Sequence, residues 1–365
     1  MPLPKKPKIL IATGGTGGHI FPAQALATEL FEKDYELLFA GGGLKANRYF
    51  NRGRFPYSQV ASATPFKGNP FKSLFRIGKG IKQSLKLIDE FKPDIVVGFG
   101  SFYSFPVLAA ARWRKIPIVL FEPNAIPGKV NRLVSKWALL SAVQFSEAGN
   151  QLSGTIIEVK MPVGERKHLD AGAARDYFYL DHQSFTFLVF GGSQGAESIN
   201  RLFSESILKV IAPVAFQVIH ITGKTDSAEL IRRQYEAAGI RACVKAFEER
   251  MELAWSAADA VIGRSGAASI AELIKFEVPG ILVPFPQAAD DHQTKNALFI
   301  ERKVGGAITC PESSLTAELL KPLLEKLMLP SELKKMKKAI SSFKQDHRKK
   351  ELSSVICEIL KERTA

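Results

Sequence analysis

Two glycine-rich turns constrain this chain more than any other feature. Gly14-Gly15-Thr16-Gly17-Gly18-His19 and Gly191-Gly192-Ser193-Gln194-Gly195 each follow a short apolar run, Lys8-Ile9-Leu10-Ile11-Ala12 and Phe185-Thr186-Phe187-Leu188-Val189-Phe190. Each leads into a helix-forming start, Phe21-Pro22-Ala23-Gln24-Ala25-Leu26 and Ala196-Glu197-Ser198-Ile199-Asn200. The order strand, glycine turn, helix presents backbone N–H groups and a positive helix end to an anionic ligand. Its occurrence twice predicts two similar nucleotide-type domains facing one another. A length of 365 residues agrees, since it exceeds what one hydrophobic core usually organises.

The segments between the turns follow the same plan. Tyr35-Glu36-Leu37-Leu38-Phe39-Ala40, Asp94-Ile95-Val96-Val97-Gly98-Phe99 and Ile116-Pro117-Ile118-Val119-Leu120-Phe121 read as buried strands, with helical patterns over 23–32 and 79–91. In the second half the strands are 185–190, 216–221, 258–262 and 280–284, with helices over 196–211, 227–238, 269–276 and 293–302. Continuous apolar strands alternating with helices predict parallel sheets covered on both faces. Asp94-Ile95-Val96-Val97-Gly98-Phe99-Gly100-Ser101 matches Asp259-Ala260-Val261-Ile262-Gly263-Arg264-Ser265-Gly266 in pattern and rank order, so the duplication extends beyond the turns. Met161-Pro162-Val163-Gly164-Glu165-Arg166-Lys167 reads as the hinge. The segment from Ser331 is helical in spacing and lacks a counterpart in the first half.

The chain has no run of about 18 apolar residues that would span a membrane and no signal-peptide core after Met1. Cys243, Cys310 and Cys357 are odd in number and widely spaced, which supports neither a disulfide framework nor a zinc knuckle. A cytoplasmic location is expected. The net charge of +14 comes without any nucleic-acid-reading motif, so no nucleic-acid partner is expected. Part of the excess is local: Lys67, Lys72, Arg76, Lys79, Lys82 and Lys86 occur without an intervening acid and interleave with Phe66, Phe71, Leu74, Phe75, Ile77 and Ile81. Composition leaves two readings, a surface lying on an anionic membrane and an amphipathic helix with a solvated basic face.

Ordinary nucleotide motifs are missing. Neither turn has the dinucleotide glycine register with its downstream acid, Gly223-Lys224-Thr225 lacks the leading glycine of a phosphate loop, and no paired carboxylates are spaced to hold a divalent metal. Three positive signals remain. His19, on a turn at a strand C-terminus, has the chemistry of a general base near neutral pH, or caps and packs a helix. In Gly263-Arg264-Ser265-Gly266-Ala267-Ala268-Ser269-Ile270-Ala271-Glu272, Glu272 has the oxygens to hold a ribose diol, while Arg264 and the N–H groups have charge for phosphate; complementing the helix dipole is the competing reading. Pro284 to Ala297, with Asp290, Asp291, His292, Gln293 and Asn296, carries more side-chain donors and acceptors than capping needs and suits sugar hydroxyls.

GGTGGHIFPA, GFGSFYSFP, EPNAIPGKVNR, GGSQGAESIN, GRSGAASIAEL and AADDHQTKNA, taken in order, resemble the MurG family of bacterial N-acetylglucosaminyltransferases of peptidoglycan synthesis. The resemblance spans most of the chain. It implies a GT-B fold of two Rossmann-like α/β domains with parallel sheets: residues 1–162 facing acceptor and membrane, residues 163–345 holding the UDP-sugar, and a terminal helix at about 346–365 returning to the first. It implies inverting, metal-independent transfer of N-acetylglucosamine from UDP to the muramyl 4-hydroxyl of undecaprenyl-diphosphoryl-N-acetylmuramoyl-pentapeptide (lipid I), giving lipid II and UDP, with no cofactor. By position, His19 matches the proposed general base, and Thr16, Gly17 and Gly18 beside it belong with Asn124 to the donor-binding set. Asn124 faces acceptor or donor sugar, and Ser193 and Gln194 face phosphate. Phe247 covers uracil, Glu248 reads the base edge through its backbone, and Glu272 binds ribose. Arg264, Ser265, Gly266 and Ala267 line the donor site, and His292 and Gln293 touch the donor sugar.

Two departures stand out. The family's Asn-Pro-Val-Arg is Met161-Pro162-Val163-Gly164 here, leaving Arg166 as the possible phosphate contact, and Glu-Gln-Asn is Glu122-Pro123-Asn124. A lipid-anchored acceptor favours the membrane reading of residues 64–86, with Phe71, Lys72, Phe75, Arg76 and Lys79 as its surface on the cytoplasmic face of the inner membrane. Other cell-wall enzymes are further expected partners. The alternatives are a GT-B transferase with a different lipid acceptor, a UDP-N-acetylglucosamine 2-epimerase, which the basic-aromatic stretch disfavours, and a silent nucleotide-sugar-binding partner, which His19 disfavours.

Overall fold

A computed structural model describes residues 6–64, 69–164, 169–192, 195–346 and 349–364. The chain divides into two compact units, Met1–Glu165 with Lys349–Ala365, and Arg166–Arg348. In the first unit the strands are β1 (Lys8–Ala12), β2 (Glu36–Gly41), β3 (Tyr57–Gln59), β4 (Ile95–Gly98), β5 (Ile118–Glu122), β6 (Leu140–Val143) and β7 (Ile156–Lys160). In the second they are β8 (Phe185–Phe190), β9 (Phe216–Ile221), β10 (Ala242–Lys245), β11 (Ala260–Gly263), β12 (Gly280–Leu282) and β13 (Ala307–Thr309); β14 (Lys350–Glu351) returns to the first. The sheet orders are β14-β7-β6-β5-β4-β1-β2-β3 and β10-β9-β8-β11-β12-β13. Every pairing is parallel, and the two glycine-turn strands β1 and β8 hold equivalent places. β4, β5, β8 and β11 are buried at every residue, as continuous apolar strands covered on both faces must be.

The internal duplication has a physical basis. Asp94 and Asp259 precede β4 and β11, and their carboxylates accept from Lys8 N–H at 2.7 Å and Thr186 N–H at 2.9 Å. Each aspartate therefore ties the start of its strand to the strand that leads into a glycine turn.

Two helices begin earlier than their composition indicates. Helix α1 spans Gly17–Glu32, so Gly17, Gly18 and His19 form its first turn rather than the loop before it. Glycine's poor helix propensity and Pro22 conceal that start. Helix α2 spans Pro70–Phe91, where Pro70 occupies the first turn and the Asn69 side chain accepts from Phe71 N–H at 2.9 Å and Lys72 N–H at 3.3 Å.

The lysine-rich C-terminal segment is two elements in different units. Helix Pro330–Asp346 belongs to the second, burying Met336 and Ile340 and pairing Lys344 with Glu277 at 2.8 Å. Helix Leu352–Thr364 packs on α1 in the first, where β14 extends the sheet along β7, Lys349 meets Glu158 at 2.9 Å and Lys33 donates to Ser353 at 3.1 Å.

Candidate functional site

In the first unit the glycine turn is built by close approach. A Cβ on Gly14 would lie 2.6 Å from the Gly42 carbonyl and 2.7 Å from Tyr103 Cβ, and Gly15 has φ of +90°. Ser101 Oγ donates to the Gly14 carbonyl at 3.1 Å and Asn47 Nδ2 to that of Gly15 at 2.6 Å. Thr16 caps α1 through its backbone, since its hydroxyl makes no capping bond. His19 then faces the end of β4: its Nδ1–H donates to the Phe99 carbonyl at 2.7 Å. A carbonyl only accepts, so the neutral ring carries its proton on Nδ1 and its basic lone pair on Nε2.

Asn124 lies after β5 and depends on Glu122. The Glu122 carboxylate, buried, accepts from Asn124 N–H at 3.0 Å, Asn124 Nδ2 at 3.3 Å, Gly128 N–H at 2.9 Å and Asn131 Nδ2 at 2.9 Å. Burial pushes its pKa above the ordinary carboxyl value, against the pull of those four donors. Pro123 therefore removes a donor from this loop without loosening it. Glu122→Gln would turn one acceptor into a donor facing two N–H groups. It is expected to destabilise the first unit by about 2 kcal/mol or more, read as a lower midpoint in urea unfolding; an unchanged midpoint would show that the loop holds without this hub.

In the second unit a Cβ on Gly191 would lie 2.1 Å from Ala196 N and one on Gly195 2.5 Å from the Thr222 carbonyl, so only glycine fits either position. Behind this turn Tyr235 O–H donates to His220 Nδ1 at 2.9 Å, and His220 Nε2–H donates to Asn200 Oδ1 at 3.1 Å. Asn200 Nδ2 then donates to the Thr222 carbonyl at 2.9 Å. Burial pushes His220 down to about 3, so this brace stays neutral. Ser193, Gln194 and Arg166 lie outside the described residues.

The ends of β11 and β12 and the helix His292–Phe299 are laced together. Ser265 Oγ donates to the Gln293 carbonyl at 2.8 Å, Asn296 Nδ2 to the Ser265 carbonyl at 3.1 Å, and Phe285 N–H to Gln293 Oε1 at 3.0 Å. His292 Nδ1–H donates to the Ala289 carbonyl at 2.7 Å. Gly266 caps helix Ala267–Phe276, with Ala267 as its first residue. Arg264 differs from its sequence reading as a phosphate contact. It is buried, and its Nη1 donates to the carbonyls of Val283 at 3.2 Å and Pro284 at 3.1 Å and pairs with Glu312. Its guanidinium is a tether for the Pro284 loop.

Glu272 is buried on the same helix, and its Oε2 accepts from Trp255 Nε1–H at 3.0 Å. Trp255 is held in turn by Phe276, stacked at 6.2 Å between ring centres, and by the edge of Phe190 at 5.6 Å. No local pattern in the sequence marks Trp255, because its partner is reached only through the fold. Phe247 is 67% exposed. Beside it Glu248 is buried and accepts from Lys245 Nζ at 2.7 Å and Arg250 N–H at 2.8 Å. Burial alone would raise its pKa, and these donors outweigh it and hold the carboxyl below its ordinary value.

The five residues Phe71, Lys72, Phe75, Arg76 and Lys79 do not share one face. Phe71 and Phe75 are 81% and 74% exposed with Leu74 beside them, whereas Lys72, Arg76 and Lys79 line a cavity against the Gly43–Thr64 region. Among the described residues no helix is long and apolar enough to cross a membrane.

Known proteins match this arrangement along its length. The glycosyltransferase family 28 N-terminal domain matches residues 9–142 and the family 28 C-terminal domain residues 186–351. A UDP-N-acetylglucosamine–N-acetylmuramyl-(pentapeptide) pyrophosphoryl-undecaprenol N-acetylglucosamine transferase of Protochlamydia amoebophila is 46% identical over 345 residues, covering 92% of each chain. The protein of that name from Chlamydia trachomatis serovar L2 is 33% identical over 97% of this chain and 99% of its own. The crystal structure of Acinetobacter baumannii MurG superposes with a TM-score of 0.77 at 26% identity, over 98% of this chain and 99% of that one. The Streptomyces nogalater glycosyltransferase SnogD, at 16% identity and a TM-score of 0.66 over 98% and 99%, shares the fold. Both domain matches, the full-length relatives and the paired parallel sheets lead to one conclusion: the chain belongs to glycosyltransferase family 28, has the GT-B fold, and is a member of the MurG family of UDP-N-acetylglucosamine-dependent transferases.

Proposed function

We propose that this chain transfers N-acetylglucosamine from UDP-N-acetylglucosamine to the 4-hydroxyl of the N-acetylmuramoyl residue of an undecaprenyl-diphosphate-linked pentapeptide, with His19 as the base. The observation that carries the reading, within the family, is the 2.7 Å hydrogen bond from His19 Nδ1–H to the Phe99 carbonyl, which orients Nε2 as proton acceptor. As the acceptor oxygen attacks the anomeric carbon, its proton passes to Nε2, the bond from carbon to UDP oxygen breaks, and UDP leaves with the electron pair. Attack opposite the leaving group inverts the centre and gives a β-1,4 link. Thr16, Gly17, Gly18 and Asn124 surround this step.

The second unit holds the donor. The exposed Phe247 ring covers uracil, the Glu248 backbone reads its edge, and Glu272 accepts from the ribose diol. N–H groups at the turn of Gly191–Gly195 and at Gly266–Ala267 stabilise the charge that grows on the departing diphosphate, with Ser193 and Gln194 assigned there by resemblance. His292 and Gln293 bind the donor sugar. Phe71, Leu74 and Phe75 rest on the cytoplasmic face of the inner membrane, where the lipid-linked acceptor lies.

Radiolabelled UDP-N-acetylglucosamine incubated with the protein and a short-chain lipid I analogue is expected to yield labelled disaccharide lipid and UDP. Free N-acetylglucosamine alone, or donor binding without transfer, would overturn the reading.

A further inference from the structure

Behind the second glycine turn lies a chain of hydrogen bonds that runs in one direction. Tyr235, His220, Asn200 and Thr222 are each at most 3% exposed. The Thr222 carbonyl can only accept, so Asn200 must present Nδ2 to it, at 2.9 Å, and Oδ1 to His220. His220 Nε2 must then carry the ring proton, and Nδ1 must accept, which the Tyr235 O–H satisfies at 2.9 Å. Each partner fixes the next, and reversing any one of them would set two acceptors or two donors face to face. Burial keeps the imidazole neutral, so a second ring proton does not relieve such a conflict.

The chain ends at the turn assigned to the donor diphosphate. A Cβ on Gly195 would lie 2.5 Å from the Thr222 carbonyl oxygen and 3.1 Å from Gly223 Cα, so the turn is seated on the oxygen that Asn200 holds. Asn200 also belongs to the helix that the turn opens, Glu197–Ile207, where its N–H donates to the Ala196 carbonyl at 2.9 Å. The far side of the same strand end is held separately. There the N–H groups of Thr222 and Gly223 donate to the Lys245 and Ala246 carbonyls, each at 2.9 Å. His220 pairs with Val189 across β9 and β8, one residue before Phe190 leads into the turn. One side chain, Asn200, therefore joins the helix start, the glycine turn and the end of β9.

We infer that Asn200, His220 and Tyr235 are positioning residues for the donor diphosphate, a relay that holds the glycine turn and the start of helix Glu197–Ile207 in the geometry the departing UDP needs. The inference rests on the proposed reaction and assigns to it residues that lie behind the site rather than in it. Stabilising the charge that grows on a leaving diphosphate requires donors already aimed at it, because reorienting them during the reaction would offset the gain. A fully satisfied chain in which every member has one allowed orientation admits a single position for the Thr222 carbonyl. Apolar packing alone does not specify that position.

The test uses the full chain and compares calorimetric binding of UDP with that of uridine, since only UDP carries the groups the turn would meet. Asn200→Ala should weaken UDP binding roughly 30-fold and lower kcat with a lipid I analogue about 10-fold. Uridine, whose proposed contacts follow β10, should keep its affinity within about 2-fold. Tyr235→Phe keeps the ring and removes the O–H that sets the tautomer; it should weaken UDP binding about 5-fold, again without changing uridine. In the double variant the losses should not add, because Tyr235 acts through Asn200, so UDP affinity should equal that of Asn200→Ala. Equal losses for UDP and uridine, or additive losses for UDP, overturn the relay and leave the network a packing element. Unchanged UDP binding in both single variants overturns it as well. If Asn200→Ala does not fold, the ratio of UDP to uridine affinity in Tyr235→Phe decides alone. If the wild type transfers no sugar but binds UDP more tightly than uridine, the reaction itself is wrong and that ratio still decides the relay. A wild type that binds both equally overturns the relay itself.

Discussion

His19→Ala is expected to lower kcat by roughly 10²–10⁴-fold, the usual contribution of a positioned general base, with UDP affinity unchanged. The separation is sharp because His19 sits in the first unit, bonded to Phe99 of the same unit, while the proposed uridine contacts are all on the second. Steady-state turnover with a lipid I analogue, paired with calorimetric titration of UDP, reads both quantities. His19→Gln is the informative companion. It can keep a hydrogen bond to the Phe99 carbonyl but has no nitrogen able to take a proton, so it should be nearly as slow as the alanine variant. A glutamine variant with near-normal kcat would mean that the side chain positions α1 and does no proton chemistry.

The second large effect is expected at Glu272. Removing the buried carboxylate that we propose accepts from two ribose hydroxyls should weaken UDP binding roughly 100-fold, with a far smaller effect on the kcat of saturated enzyme. Glu272→Ala also strands the Trp255 indole N–H, which donates to Glu272 Oε2 at 3.0 Å, so the variant mixes two losses. Trp255→Phe separates them. It keeps an aromatic ring against Phe276 and Phe190, removes the donor, and should weaken UDP binding by only about 5-fold if the indole merely orients the carboxylate. Normal UDP affinity in Glu272→Ala would sink the ribose role. Equal losses in both variants would locate the effect in packing rather than in the carboxylate.

The alternation of buried strands and the two glycine turns were legible because each depends on local rules: apolar continuity for a covered parallel strand, and glycine where a Cβ would strike a neighbouring carbonyl. Other features were hidden for equally physical reasons. The start of α1 at Gly17 was masked by residues that disfavour helices in isolation, and partners distant in sequence hold that turn: Asn47 and Ser101 bond its carbonyls, His19 bonds Phe99, and Tyr103 packs on Gly14 and Gly15. β3, β10 and β13 are short, at or near sheet edges, and carry little apolar signal of their own. The basic-aromatic stretch read as one surface because composition has no phase. Once α2 is a single helix from Pro70, its period places lysines and phenylalanines on different strips.

At the candidate site the division is similar. Residue types and their order along the chain carried the family, the repeated architecture and the candidate base, since a strand, a turn and a helix start are encoded within a dozen or so neighbouring residues. What each side chain can do was decided elsewhere. The tautomer of His19 depends on a carbonyl 80 residues away, the orientation of Glu272 on a tryptophan 17 residues away, and the tethering of Arg264 on Glu312, 48 residues on. Those partners meet because parallel strands bring their C-terminal ends to one edge of a sheet. That register is set by the packing of the whole unit, so no local segment of the sequence contains it.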